Sequence, residues 1–163
     1  MAEVRATKTD GEDLIRGKDV LIYLNYGETA TEAAPKWTVI GGQKTADFTV
    51  SADSIDATTK NDNGWGRNYG GIKSTELKVE GIVAVKDSAY DALYDAYKKG
   101  ESVDICRFWA TKKYAERNWY QITEMSDTTA HDDMASFSMT LQGIGEPKTY
   151  TNVATIDAVR TGA

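Results

Sequence analysis

Met134-Ala-Ser-Phe-Ser-Met-Thr-Leu-Gln142 decides the fold. Ala135, Phe137, Met139 and Leu141 alternate with Ser136, Ser138, Thr140 and Gln142, which puts the apolar set on one face of a strand and the polar set on the other. That is the pattern of an antiparallel sheet with one dry face and one wet face. Working outward, strands are expected at Arg117–Met125, Ser102–Ala110, Thr75–Val85, Thr45–Ser51, Lys36–Gly41 and Asp19–Asn25. In Thr75–Val85, Leu77, Val79 and Val83 oppose Glu76, Lys78 and Glu80. β structure dominates.

One segment breaks the two-residue period. Tyr90, Leu93, Tyr94 and Tyr97 recur at i, i+3, i+4 and i+7, the stripe of an amphipathic helix over 87–99. Ser88 with Asp91 three residues on makes a capping pair. Lys98-Lys99-Gly100 closes the helix with basic side chains and a glycine. The fold class is therefore mainly β: an antiparallel sandwich or barrel with one flanking helix.

Residues 57–72 are the long connection between strands. Thr58–Gly71 holds four glycines and three asparagines, yet also Trp65 and Tyr69. Connections of this length are commonly functional or disordered, and disordered chain is poor in aromatics. A loop mobile alone and ordered by a partner is the expectation. Trp65, Arg67, Asn68 and Tyr69 are the candidate interface residues, because Trp, Tyr and Arg anchor protein interfaces. Residues 1–17 and 148–163 read as terminal arms flanking one domain over 18–147.

The chain has 163 residues, 19 basic against 25 acidic, for a net charge of −6. That length supports one domain. An acidic chain without a basic run does not grip nucleic acid by its phosphates. The longest apolar run, Val20–Leu24, is far short of the ~20 residues of a membrane helix. A lone cysteine, Cys106, makes no internal disulfide and suits a reducing compartment.

Catalytic chemistry is poorly represented. His131, the single histidine, sits in the polar turn Thr128-Thr-Ala-His-Asp-Asp133, and a metal there needs donors from elsewhere besides Asp132 and Asp133. Cys106 has no second histidine to serve as its base. No nucleophile elbow or phosphate-binding loop is present, and Gly64-x-Gly66 is not followed by a helix. No catalytic residue, metal ligand or cofactor is assigned.

Taken in order, four pieces resemble the phage tail-tube (major tail) proteins of the long, non-contractile-tailed type. They are Gly17-Lys-Asp-Val-Leu-Ile-Tyr-Leu24 with Trp37-Thr-Val-Ile-Gly-Gly-Gln-Lys44; Ile55–Trp65 leading through Tyr69-Gly-Gly-Ile-Lys to Leu77-Lys-Val-Glu-Gly81; Tyr90–Tyr97 followed by Gly100-Glu-Ser-Val-Asp104; and Ile122-Thr-Glu-Met-Ser126 leading through Asp132–Gly143 to Gly145. The resemblance spans roughly 17–147. It implies six-membered rings stacked into a hollow tube in the virion tail, from subunits made in the host cytoplasm. It implies a tape-measure protein inside during assembly, tail-tip and terminator proteins at the ends, genome DNA passing later without specific binding, and no membrane, catalysis or cofactor. Residues 57–72 are then the stacking element.

Physical scale agrees. A domain of this length has a radius of gyration of about 15 Å, and six such bodies in contact leave an opening about one subunit wide. A neutral or acidic wall repels phosphates and lets a duplex slide. The alternatives are a monomeric binding module using Trp65 and Tyr69, a tube subunit of a contractile injection or secretion machine, and a hydrolase using Asp132 and Asp133.

Overall fold

The computed structural model describes residues 14–160. Seven strands form one sheet: β1 Val20–Asn25, β2 Trp37–Val39, β3 Gln43–Asp56, β4 Asn68–Ile82, β5 Val103–Trp109, β6 Tyr114–Thr128 and β7 Ser136–Thr151. Among the described residues one α-helix, α1 Ser88–Lys99, joins β4 to β5. The spatial order is β2-β1-β5-β6-β7-β4-β3, and every neighbouring pair is antiparallel.

The sheet wraps around a main core. Leu77 pairs with Leu141 and Val79 with Met139 across β4 and β7. These side chains join Ile22, Leu24, Ile105, Ile122 and Phe137 in one buried cluster, and α1 adds Ala89, Leu93 and Ala96. Phe137, Met139 and Leu141, read as inward from 134–142, are buried in this core, while Ala135 precedes β7 and is only partly buried. On the far side of the curl, Gln43 holds the two ends together. Its Oε1 accepts from the Ile22 N–H at 3.0 Å, and its Nε2 donates to the Ile22 and Ile40 carbonyls at 3.2 and 2.8 Å. A side-chain amide stands there in place of a strand pair.

Helix α1 lies where the pattern placed it, with two corrections. Its N-cap is Asp87, whose carboxylate accepts from the Tyr90 N–H at 3.2 Å, and not Ser88. The extended backbone of Asp87 (φ −83°, ψ 90°) lets its side chain turn back over the first turn. The buried face is Ala89, Leu93 and Ala96, with Tyr90 tilted against Phe137 at 5.1 Å between ring centroids. Tyr94 and Tyr97 are left about half exposed, because the small alanines let the helix approach the sheet on its other flank. Gly100 ends the helix in the left-handed region (φ 69°), as its sequence position predicts.

The C-terminal residues differ from an arm. Strand β7 runs on to Thr151, pairing with Tyr114. Val153 and Val159 are then buried against Cys106, Phe108 and Ala115 in a second cluster. That covering buries β5 on both faces, so Val103, Asp104, Ile105 and Cys106 are all inaccessible. The alternation that marks a half-wet strand is lost there for that reason. At the opposite terminus, residues 1–13 of the expected arm lie outside the described residues, and Gly17–Asp19 forms a short 3-10 turn.

Candidate functional site

Residues 57–72 are not one long loop. Strands β3 and β4 continue through the pairs Ala52–Lys73, Ser54–Gly70, Ile55–Tyr69 and Asp56–Asn68, with one bulge between Ala52 and Ser54. The connection shrinks to 57–67. Asparagine and glycine are poor strand formers, and the bulge breaks the two-residue period, so the pattern hid this extension.

The loop at the tip is built by its own side chains. Thr59 and Asp62 form a capping box around the turn Lys60–Asp62. Asn63 (φ 50°) and Gly64 (φ 83°) then reverse the chain through the left-handed region. The Trp65 N–H donates to the Asp62 carbonyl at 2.9 Å, and the Ala57 N–H to the Arg67 carbonyl at 2.8 Å. Arg67 donates to Asp62 at 2.6 Å, so the guanidinium is engaged inside the loop. Asp56 accepts from both the hydroxyl and the N–H of Thr58, and these bonds hold its carboxyl below the usual range. These hydrogen bonds all lie within the loop itself.

What the hairpin lacks is a core. Strand β7 accompanies β4 only from Gln142 opposite Glu76 onward. Beyond that point, from Thr49 to Ser74, every residue except Asp62 and Gly71 is exposed. Thr75 marks the divergence: its hydroxyl lies over Gly143, where a Cβ would collide with it. The free stretch carries Trp65 at 80% exposure, Ile72 at 80%, Val50 at 60%, Tyr69 at 58% and Ile55 at 55%. Ile55 and Tyr69 are directly opposite each other. A two-stranded ribbon without a third layer is marginal in water, and so many large apolar side chains left in water on one short element are unusual for a part that stays solvated. The structure brings the predicted residues Trp65, Arg67, Asn68 and Tyr69 onto this element and adds Val50, Ile55 and Ile72. Ile55 and Ile72, isolated in polar surroundings, were the sequence signal for them.

Elsewhere the chemistry is structural. The Cys106 thiol is pushed up to about 12 by burial and then by the neighbouring Asp104 charge, which leaves it unreactive. His131, Asp132 and Asp133 are exposed, and Asp133 accepts from the Met134 N–H at 2.7 Å. Among the described residues no cluster of histidine, cysteine, aspartate and glutamate is placed to hold a metal ion. Sequence reading missed one buried ion pair: Arg117 Nε donates to Asp104 at 3.0 Å, with both side chains almost wholly enclosed. The Arg117 Nη2 also reaches the Glu32 carbonyl at 2.8 Å, tying the β1–β2 connection to the sheet. Where β3, β4, β6 and β7 run side by side, the outer face is mainly polar. Asp47, Glu76, Glu80 and Glu124 stand there with Lys78, Ser138, Thr140 and Gln142, and Lys78 pairs with Glu80 at 2.9 Å.

The described residues thus form a wrapped antiparallel sheet with one helix and a projecting hairpin that exposes several large apolar side chains. The chain belongs to the phage tail tube protein family, whose model matches residues 14–149. It is a structural protein of the virion tail. No curated protein matches the sequence. Among solved structures, the chain is similar to the tail of an empty gene transfer agent particle refined with C6 symmetry, at TM-score 0.73 and 19% identity over 85% of this chain and 100% of that one. It is similar to the SPP1 tail tube at TM-score 0.72 and 16% identity, over 86% and 81% of the two chains. A subunit of the sheath–tube complex of an extracellular contractile injection system matches at TM-score 0.57 and 14% identity, over 90% and 99%.

Proposed function

We propose that six copies of this chain close into a ring and that the rings stack into the hollow tube of a long, non-contractile tail. The observation that carries this reading is the β3–β4 hairpin, which is ordered by its own hydrogen bonds yet has five large apolar side chains in water. The six-fold symmetry of the gene transfer agent tail supports the ring number. The weaker likeness to a tube that works with a contractile sheath supports the non-contractile type. Trp65, Asn68 and Tyr69 make the contact with the neighbouring ring, while Arg67 acts by holding the loop's shape through Asp62.

The polar face of β3, β4, β6 and β7 faces the lumen. Its four carboxylates outnumber the single Lys78, and a wall of that sign repels phosphates, so DNA slides without being held. A tape-measure protein fills the tube during assembly, and tip and terminator proteins bound its ends. The chain catalyses nothing. Electron microscopy of the purified protein across concentrations, beside its light-scattering mass, tests the reading. Hollow tubes with six-fold end views are the expected result. A protein that stays monomeric at every concentration, even when seeded with tail tips, refutes it.

A further inference from the structure

The curl of the sheet is open along one line. β1 pairs with β2 only through Tyr23, Leu24 and Asn25, which leaves Val20 and Leu21 without a strand on that side. β3 starts beside them, and the side-chain amide of Gln43 bonds to Ile22 across the gap. A groove of about 620 Å³ lies along this seam, and Val20, Leu21, Ala46 and Trp109 give it apolar walls. Two buried N–H donors of its lining, Arg107 Nε and Trp109 Nε1, have no acceptor among the described residues. Buried donors are almost always paired. Lys18 and Lys44 also line the groove, and neither has a carboxylate partner among the described residues. The groove therefore suits a surface that combines apolar side chains, an oxygen acceptor and a free carboxylate.

The β3–β4 hairpin carries that combination on one face. Ile55 and Tyr69 are exposed and directly opposite each other, so both side chains leave the ribbon on the same side. A Cβ at Gly71 would come within 3.2 Å of the Ile55 side chain and 3.3 Å of the Asp53 Cβ, which places Asp53 on that face as well. Of the three carboxylates in residues 49–74, Asp56 is engaged with Thr58 and Asp62 with Arg67. Asp53 has no cationic partner among the described residues. Position completes the match. The hairpin tip follows the last residue of β3, Asp56, while the groove lies at its first residues, 43–46. Projecting and receiving surfaces at opposite ends of one strand make a head-to-tail contact, which repeats from copy to copy without closing on itself.

We propose that the β3–β4 hairpin of one copy docks in the β1–β3 seam of the next copy along the tube. Ile55 and Tyr69 cover the apolar walls, the Tyr69 hydroxyl oxygen accepts from Trp109 or Arg107, and Asp53 pairs with Lys18 and Lys44. Docking also shields strand edges that would otherwise pair with other chains. This inference rests on the reading of the hairpin as the ring-to-ring contact and names the surface that receives it.

The test is carbodiimide cross-linking of assembled tubes, followed by peptide mass spectrometry. Nine residues, roughly 30 Å of strand at about 3.3 Å each, separate Lys44 from Asp53 within one chain, so an amide formed between them joins two copies. An Asp53–Lys44 or Asp53–Lys18 link in tubes, absent from monomers, is the expected result. Asp53→Lys should raise the concentration needed for assembly by about tenfold or more, because like charges then face each other. Adding Lys18→Asp and Lys44→Asp to that chain should recover assembly, with the thermal midpoint of the monomer unchanged. Tubes that yield neither link, or a charge-swapped chain that folds but does not recover, overturn the docking site and leave the hairpin's part in stacking intact. Wild-type tube length in Trp65→Ala with Tyr69→Ala removes the hairpin from the interface, and both readings then fall.

Discussion

Replacing Asp104 with alanine tests whether the buried ion pair anchors the second core. The carboxylate accepts from Arg117 Nε at 3.0 Å, from Arg117 Nη2, and from Asn25 Nδ2 at 2.9 Å. Arg117 is 4% exposed and Asp104 2% exposed at the side chain, so water cannot take over these bonds. Removing one partner of such a pair costs about 3–5 kcal/mol, because the other charge stays enclosed. For a domain of this size each kcal/mol moves the midpoint by about 2–4 °C, so Asp104→Ala should melt roughly 6–20 °C lower. Removing both charges, in Asp104→Leu with Arg117→Met, should recover most of that loss, since an apolar pair of similar volume needs no counter-charge. Thermal and urea unfolding of the monomer, analysed as a double-mutant cycle, measure both effects. A single-variant loss below about 1 kcal/mol, the range of solvent-exposed pairs, refutes the reasoning.

Three further outcomes follow from the same structure. Leu93→Ala should destabilise the fold by about 2–5 kcal/mol, because the side chain is fully buried between α1 and the sheet; urea unfolding with an unchanged midpoint would contradict that packing. Trp65→Ala with Tyr69→Ala should leave the thermal midpoint in place and shorten or abolish tubes, with losses above about 2 kcal/mol per anchor in assembly; wild-type tube length by electron microscopy would remove the hairpin from the interface. Stability should also fall in alkali. The Cys106 thiol rises from 9.0 and the Tyr120 hydroxyl from 10.0, each to about 12, burial being the main cause in both. The folded state therefore holds these protons longer than the unfolded chain does. Their contribution is complete below pH 9 and is lost between about pH 9 and 12. A thermal midpoint that does not fall between pH 8 and 11 would show that these groups are hydrated.

Local pattern carried much of this protein. Strict alternation at 134–142 fixed which residues of β7 face inward, because side chains on a strand alternate whatever the neighbours are. The stripe at Tyr90–Tyr97 located α1, and Gly100 located its end, since only glycine adopts the left-handed conformation freely. Trp65 and Tyr69 stood out because large aromatics in a glycine-rich stretch have no core of their own to enter.

Tertiary structure decided the rest. The rotation of α1, which buries Ala89 and Ala96 and leaves Tyr94 and Tyr97 half exposed, depends on how closely the helix approaches the sheet. The far half of the β3–β4 hairpin is held by backbone pairing that any side chain permits, so its polar residues gave no period to read. The burial of Val153 and Val159, the pairing of Asp104 with Arg117, and the seam closed by Gln43 each join residues far apart in sequence. Such contacts exist only once the sheet has curled, because nothing in a local window records which strands will meet.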